Sequence, residues 1–345
     1  MNPQPLKPIK NPRAKHDFQA RTCSIRAVGS YLPARVLTNA DLEKMVDTSD
    51  EWILARTGIK ERRVAAPDEA TSDIGAKAAA RAMAKAGVTA EQIDLIIVAT
   101  VTPDMFFPST ACLVQQKIGA TRAAAFDIGA ACSGFIYGLE IGQQFIMSHT
   151  YDTVLVIGAE KLTAIVDWTD RNTCVLFGDG GGAAILQNRP NAHGLLTACM
   201  RADGRKGSLL CVPAGGSRCP ASAQTVANRL HYLRMEGRET FKNAVQAMYS
   251  AGREALARCE LDVAQLTCVI PHQANLRIIE AVGERLGVKP EQLFINVHKY
   301  GNTSSASVAI ALDEAVEAGR IKRGDLILLL VFGAGFTWGA ALIEW

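Results

Sequence analysis

Three side chains far apart in the sequence have the types and settings of a nucleophilic centre. Cys132 stands in Ala-Ala-Cys-Ser-Gly-Phe, where a short apolar run over residues 123–128 gives way to a long apolar helix pattern. His272 lies in Pro271-His272-Gln273-Ala274-Asn275, and Asn302 in Gly301-Asn302-Thr303-Ser304-Ser305, each inside a Pro- or Gly-marked turn. A thiolate forms most readily where backbone N–H groups and the positive end of a helix dipole converge. A cysteine beside an apolar run is more often an inert core residue. The His and Asn motifs turn the reading toward a Cys/His/Asn site.

Such residues need elements that bring them together, and the chain supplies these by repeating itself. Val88-Thr-Ala-Glu-Gln-Ile-Asp-Leu-Ile-Ile-Val matches Leu261-Asp-Val-Ala-Gln-Leu-Thr-Cys-Val-Ile. Phe126-Asp-Ile followed by the Cys132 helix matches Phe294-Ile-Asn followed by the Asn302 helix, and Phe177-Gly-Asp-Gly-Gly-Gly-Ala-Ala matches Phe332-Gly-Ala-Gly-Phe-Thr-Trp-Gly-Ala-Ala. Three matches in the same order indicate a duplicated α/β unit. Its strands are too apolar to face water, so both sheet faces must be covered. Residues 72–86 read as one covering helix, with Gly87 just past its end. Pseudo-twofold symmetry would then bring the N-termini of the Cys132 and Asn302 helices together, with His272 ending a strand at the same edge. The expected division is a mobile tail (1–22), a half carrying the cysteine (23–190) and a half carrying His and Asn (191–345).

Composition narrows the function classes. The 345 residues are 48% hydrophobic and 21% charged, ample for a large core, and the net charge of +3 is too small to imply nucleic acid. Nine cysteines without C-x-x-C pairs or metal spacing fit free thiols in a reducing cytoplasm, with no metal site. The Pro- and Lys/Arg-rich start has no apolar core and is not a secretory signal. Residues 326–343 are long and apolar enough to span a membrane, but Gly333, Gly335 and Gly339 divide them into strand lengths. They read as a buried hairpin, and no membrane partner is expected.

From about Ile25 to Trp345 the sequence resembles the 3-ketoacyl-acyl-carrier-protein synthase III family of the thiolase superfamily. The resemblance rests on Thr48-Ser-Asp-Glu-Trp-Ile, Arg56-Thr-Gly-Ile-Lys-Glu-Arg, Phe177-Gly-Asp-Gly, Pro271-His-Gln-Ala-Asn-Leu-Arg and Gly301-Asn-Thr-Ser-Ser-Ala-Ser. It implies a thiolase-like α/β fold in which the duplicated unit gives α-β-α-β-α layers. It also implies a ping-pong decarboxylative Claisen condensation that starts type II fatty acid synthesis. Cys132 would take a short acyl group, acetyl above all, from acyl-CoA. The carbanion left when malonyl-acyl carrier protein loses CO2 would then attack that thioester. In elongating relatives a second His stands where this chain has Asn302, which points to the initiating class.

The resemblance implies further roles. His272 and Asn302 would donate to the enolate oxygen, and the backbone N–H groups of Cys132 and Ala334 would form a second oxyanion hole. Relatives often carry Gly at the Ala334 position, and a positive φ there would strain Ala. Trp52 and Arg171 would sandwich the adenine of CoA, with Arg56 on the nucleotide side and Asn275 on the pantetheine arm. Phe241 and Met235 would line that tunnel. Phe332 would wall the sulfur, and Phe107, from a loop crossing a homodimer, would close the acyl pocket against long chains. Lys242, Arg277 and Arg285 would form a basic rim for the acidic carrier protein, interrupted by Glu284. No cofactor is implied, because the CoA thioesters are substrates. Two rivals share the fold: a synthase with another primer or malonyl-CoA in specialised metabolism, and a non-catalytic partner subunit. The latter would be expected to have lost the cysteine.

Overall fold

The computed structural model describes residues 21–189 and 194–345. Most of the expected tail and the 190/191 division between halves lie outside the described residues. Within them, the first sheet is built from β1 (Cys23–Tyr31), β2 (Leu95–Ala99), β3 (Ala124–Ile128), β4 (Thr153–Glu160) and β5 (Gly180–Asn188), in the order β1-β5-β4-β2-β3. The second contains β6 (Leu195–Ala202), β7 (Cys268–Pro271), β8 (Leu326–Gly333) and β9 (Thr337–Glu344), in the order β6-β9-β8-β7. Strand directions repeat as well. β2 and β4 pair in parallel, as do β7 and β8, while β4–β5 and β8–β9 are antiparallel. The last pair is the hairpin expected from the three glycines, and no described helix is long and apolar enough to cross a membrane.

The duplication is imperfect in two informative places. The counterpart of β3 is expected at Phe294-Ile-Asn, yet only a parallel bridge, Val269 to Leu293, forms there. The matched Phe-Gly motifs also differ in placement. Phe332 lies on β8, whereas Phe177 falls in a long segment, residues 161–179, that separates β4 from β5. In the second half only the tight turn 334–336 joins the equivalent strands. The first half therefore carries an insertion, and that insertion borders the site.

Helices fill the layers. α1 (Thr71–Ala86) and α2 (Thr110–Ile118) cover the outer face of the first sheet; α1 ends at Gly87 in the left-handed region, as its sequence predicts. α3 (Gly134–Met147) and α6 (Ser307–Glu317) lie between the sheets and touch both. α4 (Gly237–Arg258) and α5 (Leu276–Leu286) cover the outer face of the second sheet. The result is the five-layer α-β-α-β-α arrangement. In the central layer Phe135, Ile136, Leu139, Val308, Ala311 and Leu312 are fully buried. Holding α3 and α6 between the same two sheets fixes where their N-termini point, and the candidate site lies at those N-termini.

Candidate active site

Each central helix is entered through a short 3-10 turn, Ala131–Ser133 before α3 and Ser304–Ala306 before α6. The first residue of each turn has a positive φ without being glycine, 45° at Ala131 and 49° at Ser304. That conformation costs about 1–2 kcal/mol at each position. By this symmetry Cys132 corresponds to Ser305, so Asn302 does not begin the helix as its sequence match suggests. It sits in the preceding loop, held by its own N–H to Leu176 O (2.8 Å) and by its carbonyl, which accepts from Gly178 N (3.1 Å). Both partners belong to the inserted segment. Gly301 permits this approach, with φ 63° and a position where a Cβ would lie 2.7 Å from Leu176 O.

The Asn302 side chain is oriented by hydrogen bonding. Its Oδ1 accepts from Ser304 N at 2.8 Å, which leaves the Nδ2 donors for the cavity. His272 follows β7 and is anchored by its N–H to Leu330 O at 2.7 Å. Its Nδ1 lies 2.5 Å from the Ser307 hydroxyl. A serine proton directed at Nδ1 places the imidazole proton on Nε2. Burial pulls the His272 pKa down to about 3, so the ring is neutral at ordinary pH.

Cys132 is buried and its pKa is pushed up to about 12, first by desolvation; the Ser304 hydroxyl and the residue's own N–H act in the opposite sense. Gly333 packs directly on it: a Cβ there would lie 2.6 Å from Cys132 N. The neighbouring Ala334 is not strained, because the positive φ in this turn falls on Gly335 (137°). The strain expected at Ala334 is therefore absent. Thr337 Oγ1 lies 2.9 Å from Ala130 O and 3.2 Å from Ala334 O, stitching the turn to the residues before Cys132.

A single cavity of about 970 Å³ is lined by Cys132, His272, Asn302, Phe332 and Ala334 at its inner end and by Trp52, Arg56, Asn275 and Arg277 further out. Met235 and Phe241 line it between. Asn275 also caps α5, accepting from Arg277 N, and donates to Arg56 O at 2.9 Å, so part of its amide is committed to structure. Trp52, on the helix Asp50–Thr57, has Arg56 4.8 Å and Arg171 4.5 Å from its ring centroid. Arg171 is further held by Asp47 O at 2.7 Å. At 4.5 Å from the Trp52 ring Arg171 leaves no room for a base between them, so the expected sandwich is closed in this conformation.

Four predicted residues, Arg171, Lys242, Arg285 and Phe107, lie away from the cavity lining. Lys242 and Arg285 are exposed on α4 and α5, with Arg285 stacked over Tyr249 at 4.6 Å. Phe107 is 84% exposed in the loop after β2, beside Phe106 at 83%. Conversely, the cavity is lined by residues the motifs did not mark. Leu162, Ile165 and Leu176 come from the insertion, and Arg238 opens α4. Apolar residues in an irregular segment carry no periodic signal, so only their placement reveals them. No group of three His, Cys, Asp or Glu side chains among the described residues is placed to hold a metal ion.

Family models agree with this architecture. Residues 126–204 match 3-oxoacyl-[acyl-carrier-protein (ACP)] synthase III, and residues 256–345 match its C-terminal region. The beta-ketoacyl-[acyl-carrier-protein] synthase III of Caldanaerobacter subterraneus subsp. tengcongensis is 58% identical over 93% of this chain and 97% of its own length. The chain belongs to the synthase III family. That of Symbiobacterium thermophilum is 54% identical, covering 95% of this chain and 99% of its own. The crystal structure of 3-oxoacyl-[acyl-carrier-protein] synthase III from Aquifex aeolicus superposes with a TM-score of 0.87 at 50% identity, covering 94% and 100% of the two chains.

Proposed function

We propose that this protein is the initiating condensing enzyme of type II fatty acid synthesis, an acyltransferase that joins a short acyl group from acyl-CoA to malonyl-acyl carrier protein. The observation that carries the reading is the continuous cavity linking an arginine-rich mouth to Cys132, His272 and Asn302. Its inner end is lined by the apolar Phe332 and by the potential donors His272 and Asn302.

Each residue has a task its geometry supports. Cys132 Sγ attacks the acyl thioester, the carbonyl oxygen facing the N–H groups of Cys132 and Ala334, and CoA departs. The malonyl thioester then enters along the same path. His272 Nε2–H and Asn302 Nδ2–H face the oxygen on which charge develops as CO2 leaves. The carbanion attacks the Cys132 thioester and the 3-ketoacyl product is released on its carrier. Both donors are neutral and fixed, so they need no reorganisation as charge appears. Arg56 suits a CoA phosphate, and Trp52 offers a stacking face once Arg171 moves aside. Exposed Lys242, Arg277 and Arg285 suit an acidic carrier protein.

The primer is acetyl and the working form a homodimer. β3 is an edge strand whose apolar residues, Ala124, Ala125, Phe126 and Ile128, are exposed or only partly buried, and the adjacent loop exposes Met105, Phe106 and Phe107. Val101, in that loop, also lines the cavity. A second copy would cover the edge and close the acyl end with its own Phe107. All nine cysteines are free, which suits the cytoplasm.

The direct test is intact-mass spectrometry after incubation with acetyl-CoA and longer or branched acyl-CoAs. Wild type should gain one acetyl group and Cys132→Ala none. A wild type that no acyl-CoA labels would sink the proposal.

A further inference from the structure

The main chain of Asn302 is held by residues 176 and 178, and these belong to an irregular segment with no sheet ladder of its own. Leu176 N donates to Thr173 O at 3.1 Å and Cys174 N to Asp170 O at 2.9 Å. These bonds close a turn but leave the carbonyl of buried Val175 outside it, and no backbone N–H among the described residues reaches that oxygen. An enclosed carbonyl still requires a donor. The donor is Arg62 Nη2, at 2.7 Å.

Arg62 does not line the cavity. It lies on a short strand, Glu61–Val64, paired antiparallel with Arg35–Thr38, and it is fully buried. Its hydrogen bonds among the described residues all go to neutral oxygens, and its Nε has no partner. Burial lowers its pKa to about 10, which leaves it cationic at neutral pH. Enclosing a cation without a countercharge is costly, so what this guanidinium holds is a question with physical content.

One side of the guanidinium is an anchor. Nη1 donates to Leu37 O at 3.1 Å and to Asn39 Oδ1 at 2.9 Å, and Asn39 Nδ2 in turn donates to Asp50 Oδ1 and Ile59 O, both at 2.8 Å. The other side reaches the Asn302 loop. Besides the bond to Val175 O, the Arg62 stem packs against two glycines: a Cβ at Gly178 would lie 3.0 Å from Arg62 Cβ, and one at Gly301 3.4 Å. Gly178 and Gly301 each adjoin one partner of the bridge between Phe177 and Asn302. Head and stem therefore contact the chain at 175, 178 and 301, on every side of the atoms that bond Asn302.

We infer that Arg62 is a positioning residue for Asn302: by holding Val175 O and packing against Gly178 and Gly301 it fixes Leu176 O and Gly178 N, the two atoms that bond the Asn302 main chain. It touches no substrate and acts through that loop. Without it Val175 O loses its donor, the inserted segment loses its tie to the strand at 61–64, and the Asn302 amide is no longer held at one place in the cavity. Cys132 and His272 are set by other elements, the 3-10 turn before α3 and the end of β7. The loss should therefore be felt at Asn302 and not at the thiol.

This inference deepens the proposed function and rests on it for the use made of Asn302, but not for the positioning. Hydrogen–deuterium exchange and decarboxylation of malonyl-carrier protein are measured in wild type, Arg62→Met, Asn302→Ala and the double variant. Met keeps an unbranched stem and removes the charge and its donors. In Arg62→Met, peptides covering 174–178 and 300–304 should exchange at least about tenfold faster while those of α3 and β8 do not change. Alkylation of Cys132 by iodoacetamide should stay within about twofold, and decarboxylation should fall about tenfold, with no further fall when Arg62→Met is added to Asn302→Ala. Faster exchange throughout the chain, or an equal fall in alkylation and decarboxylation, would make Arg62 a scaffold. Unchanged exchange, or losses that multiply in the double variant, would mean that Asn302 is held without it. Each of these overturns the inference. Should Arg62→Met not fold, Arg62→Lys carries the same comparisons, because it keeps a buried cation but replaces the fork by one nitrogen. Faster local exchange in a protein whose wild type does not decarboxylate would support the positioning and count against the proposed function.

Discussion

The Nδ1 atom of His272 and the hydroxyl of Ser307 stand 2.5 Å apart, linking the end of a strand in one sheet to the first turn of a central helix. When the hydroxyl donates to Nδ1, the imidazole proton is held on Nε2. Ser307→Ala leaves the ring free to take either tautomer. Decarboxylation and condensation should fall about tenfold, short of the hundredfold or more typical of losing an oxyanion donor outright. Acylation of Cys132 should change less than twofold. A stopped acylation assay run beside the decarboxylation assay separates the two, and equal losses would count against the tautomer argument.

The neutrality of His272 also sets a pH dependence of stability. Its pKa is about 3 when folded, well below the ordinary value of 6.5, because burial disfavours the charged ring. Above pH 6.5 neither state binds the proton. Between 6.5 and 3 the unfolded chain binds it and the folded chain does not, so stability falls as pH falls through that window. His272→Gln should lose less stability than wild type between pH 7 and pH 5, measured by urea unfolding at both. Decarboxylation by wild type should show no inflection near pH 6.5.

What could be read from the sequence follows from where the information lies. Cys132, His272 and Asn302 sit in short turns whose Gly and Pro residues mark the chain locally, and the duplicated strand pattern predicted that two halves would meet there. The hairpin of β8 and β9 was legible because glycines punctuate an otherwise continuous apolar run. The inserted segment 161–179 was not, although it carries Leu162, Ile165 and Leu176 into the cavity. Its residues obey no helical or strand period, and the Phe-Gly match across the halves disguised the insertion.

The stack of Arg171 on Trp52 gives a prediction about binding. If the adenine of CoA uses the Trp52 face, Arg171 must first leave it and break its hydrogen bond to Asp47 O. Trp52→Ala should raise KM for acetyl-CoA about tenfold with kcat within about twofold, because the lost contact is remote from the sulfur and equal in ground and transition states. Asp47→Ala removes the exposed carboxylate 3.5 Å from Arg171 but keeps the carbonyl bond, and should change KM less than twofold. A fall in kcat for Trp52→Ala with KM unchanged would place the residue in some other role.

The apolar loop after β2 bears on assembly. Phe106 and Phe107 are 83% and 84% exposed, and two adjacent Phe rings left in water forfeit roughly 2–3 kcal/mol each relative to burial. Met105 extends the patch, and the half-buried edge strand β3 belongs to the same sheet as the strand that leads into it. Phe106→Asp combined with Phe107→Asp should shift the protein from dimer to monomer in sedimentation velocity. If Phe107 of a second copy closes the acyl end, Phe107→Ala alone should keep the dimer while relaxing chain-length selection, with acylation by longer acyl-CoAs rising relative to acetyl-CoA. A wild type that sediments as a monomer at micromolar concentration, or a Phe107→Ala variant with unchanged selectivity, would assign the exposed rings to another surface function.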